Sequence, residues 1–227
     1  MSSSSPSSSA TAEKYDAIVI GAGHNGLTCA CYLAMAGFKV LVIEQYHSIG
    51  GMTMTEEVTL PSFKSDIHAY GYQLANFSPA PKELGLDKYG FELLYPDPSI
   101  SHLFPDGGGL ISMYRDVRKT VKSIARYSKK DAQTWEKMFD KYLTNKDKII
   151  HPLNTPPCHP AQQSHFSNQM NMNDDYRSAI QSLRSWCNEY FESEETKVFF
   201  GAWAAHVSAS PDDAGGGSLA YLFSVLS

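Results

Sequence analysis

The chain has no apolar run approaching the roughly 18 residues of a membrane-spanning helix, so nothing in it reads as a transmembrane segment. Its first 13 residues are rich in serine and include Pro6, with no arginine and no apolar core. They read as a disordered tail over 1–13, not as a secretory signal or transit peptide. Cysteine is scarce, and Cys29, Cys31, Cys158 and Cys187 show no framework spacing. Cys29 and Cys31 stand two apart on an expected helix, so they point to different faces and cannot share a metal. Reduced, structural thiols in a cytoplasmic setting are the expectation. Positive charge is not in excess: the net charge of −5 speaks against nucleic-acid binding. Cys158-His159 and His165 match no zinc spacing and lie in a polar, proline-rich stretch, so no metal site is expected. There is no nucleophile elbow and no internal repeat. What remains is an ordinary globular composition: 227 residues, 42% hydrophobic and 19% charged, enough for one large domain or two small ones.

One segment stands out. The turn Gly21-Ala22-Gly23-His24-Asn25-Gly26 lies between the apolar run Tyr15 to Ile20 and a helical run from Leu27 to Ala36. A second apolar strand, Lys39 to Ile43, ends in Glu44. A GxGxxG by itself is weak evidence. With a strand before it, a helix after it and an acidic residue about 20 positions on, it is a dinucleotide-binding βαβ unit. Gly21 suits the tight turn, Gly23 a close approach to pyrophosphate, and Gly26 close packing of helix on strand. The helix start offers free N–H groups and a positive dipole end to phosphates. Glu44 is placed to accept hydrogen bonds from a ribose diol. A tight turn without a ligand is the plain alternative, and the agreement of four features speaks against it. His24 is expected to present only its backbone. Asn25 serves either the ligand or the helix cap.

Gln45 to Gly51 follows, with a glycine pair, Gly50-Gly51, that permits an unusual turn or close approach to a ligand. Short strands are expected over Thr55 to Leu60 and Phe63 to Ser65, and a helix over Tyr70 to Phe77. Phe91 to Tyr95 reads as a strand. His102 to Phe104 and Leu110 to Tyr114 read as a hairpin around Pro105-Asp106-Gly107-Gly108-Gly109. From Asp116 the period becomes helical. Val117, Val121, Ile124 and Ala125 form one face, and Ser128 caps a second helix carrying Trp135, Met138, Phe139, Tyr142 and Leu143. His151 to Pro160 breaks the pattern. Tyr176 to Tyr190 and Glu194 to about Val207 read as helices, the latter capped by Ser193, and another begins near Leu219. Trp186, Phe199, Phe200 and Trp203 sit at helical spacing, where core packing is the default. Glu194-Glu195 and Asp212-Asp213 look like a helix start and a turn, not acid–base pairs. The fold class is α/β, or α+β taken as a whole. A Rossmann-like FAD/NAD(P)-binding βαβ unit is followed by strands and then a mostly helical block, with segments at 14–90 and 91–227.

The βαβ unit alone does not separate NAD from FAD. The Gly50-Gly51 pair after the acidic strand end resembles the FAD-binding start of the flavin oxidoreductases that include phytoene desaturases and amine oxidases. The runs Ile20 to Leu27, Gly50 to Glu57, Tyr95 to Ser99, Arg126 to Ala132 and Asn154 to Pro157 resemble one branch of that group. It holds phytoene-desaturase-like proteins, O-type β-carotene ketolases and the pyridine nucleotide-disulfide oxidoreductase domain-containing proteins. The likeness spans about residues 15 to 223 and corresponds to the N-terminal half of such enzymes. It implies FAD as cofactor, held by Gly21, Ala22, Gly23, Asn25, Gly26, Glu44, Gln45, Gly50, Gly51 and Met52. It also implies an apolar isoprenoid substrate, peripheral membrane contact, and a second flavin motif outside this sequence. It places the stretch around Asp66 and His68 beside the flavin, where a proton-handling His68 is one option and a hydrogen-bonded loop histidine the other. Gln45 and Tyr46 stand where desaturases often carry arginine. No catalytic residue is assigned. The alternatives are an NAD(P)-dependent dehydrogenase, or a truncated, non-catalytic product that associates through an incomplete sheet edge.

Overall fold

The computed structural model describes residues 13–69, 78–105, 107–150, 180–202 and 210–217. The chain divides into two units, Met1–Glu92 and Leu93–Ser227. The structure has a Rossmann-like α/β start, as the glycine turn and its flanking strands predict.

In the first unit β1 (Ala17–Ile20) and β2 (Val40–Ile43) pair in parallel, from Ala17↔Val40 to Ile20↔Ile43. Both strands are built from β-branched and aliphatic residues, which suit a pleated surface covered by a helix. The cover is α1 (His24–Met35), rich in small residues and leucine. It ends where Gly37 takes φ 93° and the Phe38 N–H reaches the Leu33 carbonyl at 3.1 Å, a closure that needs the left-handed conformation. The outer face of the strands is bare: Ile18 is 60% exposed and Ile20 86%.

The two expected strands after the glycine pair are shorter than the sequence suggests. β3 (Thr55–Glu56) pairs antiparallel with β4 (Ser65–Asp66), two residues each. Hydrogen bonding then continues the other way, from Ile67 N–H to Met54 O and from Ala69 N–H to Met52 O. Pro61 and Ser62, the latter at φ 71°, make the turn, and Val58, Leu60 and Phe63 stay exposed. A short α2 (Ala80–Glu83) and a 3-10 turn over Leu86–Tyr89 follow, the turn bracketed by left-handed Gly85 and Gly90. The helix expected over Tyr70 to Phe77 lies outside the described residues.

The second unit opens with a hairpin, β5 (Ile100–Leu103) and β6 (Leu110–Met113), closed by Phe104 N–H on Gly109 O at 2.9 Å. The strand expected at Phe91 to Tyr95 does not form. The segment is irregular, with Leu94 81% exposed, and it has no partner strand among the described residues. α3 (Val117–Ile124) starts at Asp116, whose carboxylate accepts the Arg118 N–H. It lies along the β6 edge: Ser123 Oγ accepts the Ser112 N–H at 2.8 Å and Thr120 Oγ1 the Tyr114 N–H at 2.9 Å. Two edge amides are thereby satisfied by side chains rather than by another strand.

α4 (Lys129–Ile150) is capped by Ser128, which accepts the Asp131 N–H at 3.0 Å. α5 (Leu183–Tyr190) is capped by Ser182, and the earlier part of the helix expected from Tyr176, residues 176–179, lies outside the described residues. α6 (Glu194–Gly201) is capped by Ser193, with Glu194 and Glu195 in its first turn, as expected. Trp135, Trp186, Phe200, Ile111, Ile124 and Leu183 are fully buried, and the Phe191 and Phe200 rings stack 4.8 Å apart. Core packing is therefore the role of Trp186, Phe199 and Phe200. Asp131 is buried among them and accepts N–H groups from Glu192 and Ser193 at 2.8 and 2.9 Å. Trp203, the break at His151 to Pro160 with Cys158 and His165, and the stretch from Leu219 lie outside the described residues. Cys187 is buried, and burial pushes its thiol up to about 12. Cys29 and Cys31 are exposed on α1, where a structural thiol would be expected to be buried.

Candidate functional site

β1 and β2 deliver Gly21 and Glu44 to the same end of the parallel pair. The Gly21 N–H meets the Ile43 carbonyl at 2.7 Å, and Gly21 then turns at φ 98°. Only glycine adopts that angle readily. Ala22 is buried, and its N–H donates to Glu44 Oε2 at 2.6 Å. The other carboxylate oxygen accepts the Tyr46 N–H at 2.9 Å. These backbone donors, Ala22 first, hold the Glu44 carboxyl below the usual range, so it is ionised at neutral pH.

α1 is capped by Gly23 with no side-chain bond and no acid in its first turn. Its first N–H groups and the positive end of its dipole are left for an anion. The capping role considered for Asn25 is not taken; Asn25 is exposed in the first turn, as is His24. A Cβ on Gly26 would run into the Gly21 carbonyl oxygen and approach Val19 Cγ1 at 3.4 Å. A Cβ on Gly23 would meet only Gly51 Cα, 3.9 Å away. Gly26 is thus required by packing, whereas the space beside Gly23 is open.

The glycine pair folds back onto this turn. The Gly50 N–H donates to Ala22 O at 2.8 Å, and Gly23 and Gly50 form a parallel bridge. A Cβ on Gly51 would lie 2.9 Å from Gly23 Cα, so Gly51 must be bare for the two segments to meet. Gly50 and Gly51 both have positive φ, 121° and 58°. Beside them lies a cleft of about 260 Å³ lined by Glu44, Tyr46, Ser48, Gly51, Met54, Ile67 and His68. It contains no lysine or arginine. Tyr46 and His47 both reach Glu56, Tyr46 through its hydroxyl at 3.3 Å and His47 through Nε2 at 3.0 Å from Oε1. Burial first, then the Glu56 charge, raises the Tyr46 hydroxyl.

Of the residues expected at the cofactor, the structure brings Gly21, Ala22, Gly23, Gly26, Glu44, Gly50 and Gly51 into one cluster. Gln45 and Met52 are exposed at its rim. His68 lines the cleft, while Asp66 is held by Thr55 Oγ1 at 2.6 Å. Tyr46, Ser48, Met54 and Ile67 were not legible as site residues, since only the fold-back of the glycine pair puts them there. Among the described residues no group of His, Cys, Asp and Glu could hold a metal ion.

This geometry defines a Rossmann-like dinucleotide-binding segment. Residues 19–83 match the NAD(P)-binding Rossmann-like domain family. Among individual proteins, the chain is similar to one of the subunits of limonene dehydrogenase from Castellaniella defragrans, 39% identical over 60% of this chain and 24% of that protein. It is similar to pyridine nucleotide-disulfide oxidoreductase domain-containing protein 2 of Mus musculus, 35% identical over 62% of this chain and 25% of that one. A third similarity is to all-trans-retinol 13,14-reductase of Macaca fascicularis, 43% identical over 29% of this chain and 11% of that protein. Among solved structures, wild-type putrescine oxidase bound to putrescine superposes with a TM-score of 0.51 at 20% identity, covering 93% of this chain and 41% of that one. That likeness is one of fold. The chain spans about a quarter of the length of the first two relatives.

Proposed function

We propose that this chain is the FAD-binding opening of an FAD-dependent oxidoreductase. The observation that carries the reading is the contact of the two glycine segments. The Gly50-Gly51 pair closes on Gly21 to Gly26 with Glu44 beneath, a cradle bare of side chains where a diphosphate would lie. The residues fit the group. The α1 N-terminus and turn amides meet the diphosphate, Glu44 accepts from the adenosine ribose, and the cleft beside Tyr46 takes the nucleoside end. With no arginine at Gln45 and Tyr46, backbone N–H groups carry the phosphate contact. When bound, FAD would supply hydride or electron transfer; the protein supplies position and polarity.

For the substrate we propose an apolar isoprenoid, in keeping with a phytoene-desaturase-like or carotenoid-ketolase-like enzyme. Limonene and retinol, the molecules in two relatives' names, are both isoprenoids. The test is spectroscopic and calorimetric titration of the purified protein with FAD, NAD and NADP. Preferential binding of FAD supports the reading; binding of nicotinamide nucleotides alone overturns it in favour of a dehydrogenase.

A further inference from the structure

Tyr46 stands two residues beyond Glu44, in the loop that leaves β2, and is held at three points. Its backbone N–H donates to Glu44 Oε1 at 2.9 Å. Its hydroxyl donates to Glu56 Oε2 at 3.3 Å. Its ring lies 4.2 Å, centroid to centroid, from that of His47, tilted by 41°. Yet the residue is 49% exposed and lines the cleft. An exposed tyrosine ordinarily keeps its rotamer freedom. A ring fixed in this way at the wall of a cleft has already lost it, which lowers the cost of binding a ligand against it.

Glu56 does much of the fixing. It lies on β3, but its side chain is only 18% exposed and reaches back to the loop after β2. Oε2 takes the Tyr46 hydroxyl. Oε1 is buried, with His47 Nε2 at 3.0 Å in a geometry that makes no hydrogen bond. Among the described residues this carboxylate meets Tyr46 and His47 and no side chain of β4, so the pairing of the two short strands does not explain its place. A buried carboxylate oxygen without a donor costs stability. What the group achieves at that cost is the order of Tyr46 and His47. The neighbours of the Tyr46 ring then set what it takes. Met54 and Ile67 are apolar, and Glu44, the one carboxylate lining the cleft, is placed for a ribose. A planar heteroaromatic ring carried on that ribose fits an aromatic face set among apolar side chains. We propose that Tyr46 is the stacking platform for the purine of the bound dinucleotide, and that Glu56 is the positioning residue that sets its ring. This rests on the reading of the cleft as the nucleoside end of the site. It holds for FAD and NAD alike, since both carry an ADP moiety.

The test is calorimetric titration of the 227-residue chain with FAD, ADP and riboflavin 5′-phosphate. Tyr46→Ala should weaken FAD and ADP alike, by about 5- to 150-fold, the range for one base on one aromatic ring. Riboflavin 5′-phosphate should be unaffected. Tyr46→Trp keeps a stacking face and should restore most of the loss. Tyr46→Phe keeps the ring but drops its tether, and should weaken ADP roughly two- to tenfold. Glu56→Ala should do about the same, and Tyr46→Phe combined with Glu56→Ala no more than either alone, as for the two ends of one contact. Glu56→Gln keeps an acceptor for the hydroxyl and should recover most of the affinity. That recovery and the non-additive pair separate positioning from a general loss of structure, and circular-dichroism melts check the fold of each variant. Equal ADP affinity in wild type and Tyr46→Ala, losses confined to FAD and riboflavin 5′-phosphate, or fully additive losses in the double variant would each overturn the proposal. A wild-type chain that binds ADP but not FAD would overturn the flavin reading and leave this one standing. Binding of none of the three ligands would overturn both.

Discussion

The backbone N–H of Ala22 donates to Glu44 Oε2 at 2.6 Å, across 22 residues of sequence. With the Tyr46 N–H on the other oxygen, one carboxylate ties the glycine turn after β1 to the loop after β2. Glu44 therefore holds the site together before any ribose reaches it. Lone pairs remain on both oxygens for a diol.

Glu44→Ala should weaken FAD binding roughly 10- to 100-fold, the scale of a lost charge-assisted hydrogen bond. Glu44→Gln should do nearly as much harm, because an amide offers one acceptor where two N–H donors converge. Calorimetric titration of both variants checks this. An unchanged affinity in either would mean that the carboxylate faces away from the ligand.

The same bond sets a pH dependence. Glu44 titrates below its ordinary value in the folded chain because of the Ala22 and Tyr46 N–H groups. Its contribution is therefore complete above the unfolded value of about 4.3 and is lost as pH falls through the lower, folded value. Amide exchange at Ala22 and Tyr46, followed by NMR in the cofactor-free chain, should stay protected at pH 5. It should open only as the pH falls through the folded value, which lies below the ordinary carboxyl value.

The two glycines of the turn should behave differently. Gly26→Ala forces a Cβ into the Gly21 carbonyl and should cost about 3 kcal/mol of stability, read as a lower melting temperature. A Cβ at Gly23 meets only Gly51 Cα at 3.9 Å, so in Gly23→Val the fold should survive while FAD binding is lost. Retained flavin occupancy in Gly23→Val would remove the diphosphate from this turn.

What the sequence made legible was the local part of this site. Strand, glycine turn, helix and acidic end can be read because each has a period or a residue type of its own. The fold-back of Gly50-Gly51 onto Gly23 could not, since it depends on a bare Gly51 meeting Gly23 across the fold. Nor could the cleft around Tyr46 and Ile67, which exists only once that contact is made. The same limit explains the missing strand at Phe91 to Tyr95: its apolar residues look strand-like, but pairing needs a partner. Ser128 and Ser193 mark helix starts because the side-chain oxygen acts within three residues, whereas the Ser182 cap lies inside a stretch whose apolar period reads as one helix. The Asp131 contact to Glu192 and Ser193, more than 60 residues away, left no such mark.

That contact is testable on its own. Asp131 is fully buried and holds the start of α6 through two N–H groups. Asp131→Ala strands both donors and should cost about 2–4 kcal/mol. Asp131→Asn keeps one acceptor and should cost less. Urea melts of the two variants give the order, and equal losses would point to packing rather than hydrogen bonding.

The outer face of β1 leads to a prediction about association. Ile18 and Ile20 are exposed, Ile43 is 46% exposed, and among the described residues the first sheet has only two strands. Apolar side chains beside unpaired strand edges favour pairing with another chain. The 227-residue chain should therefore self-associate. Sedimentation velocity over a concentration series should show the association, and Ile18→Thr with Ile20→Thr should reduce it while leaving the α1-covered face intact. A chain that stays monomeric across the series would show that the exposed face of the two strands does not drive association.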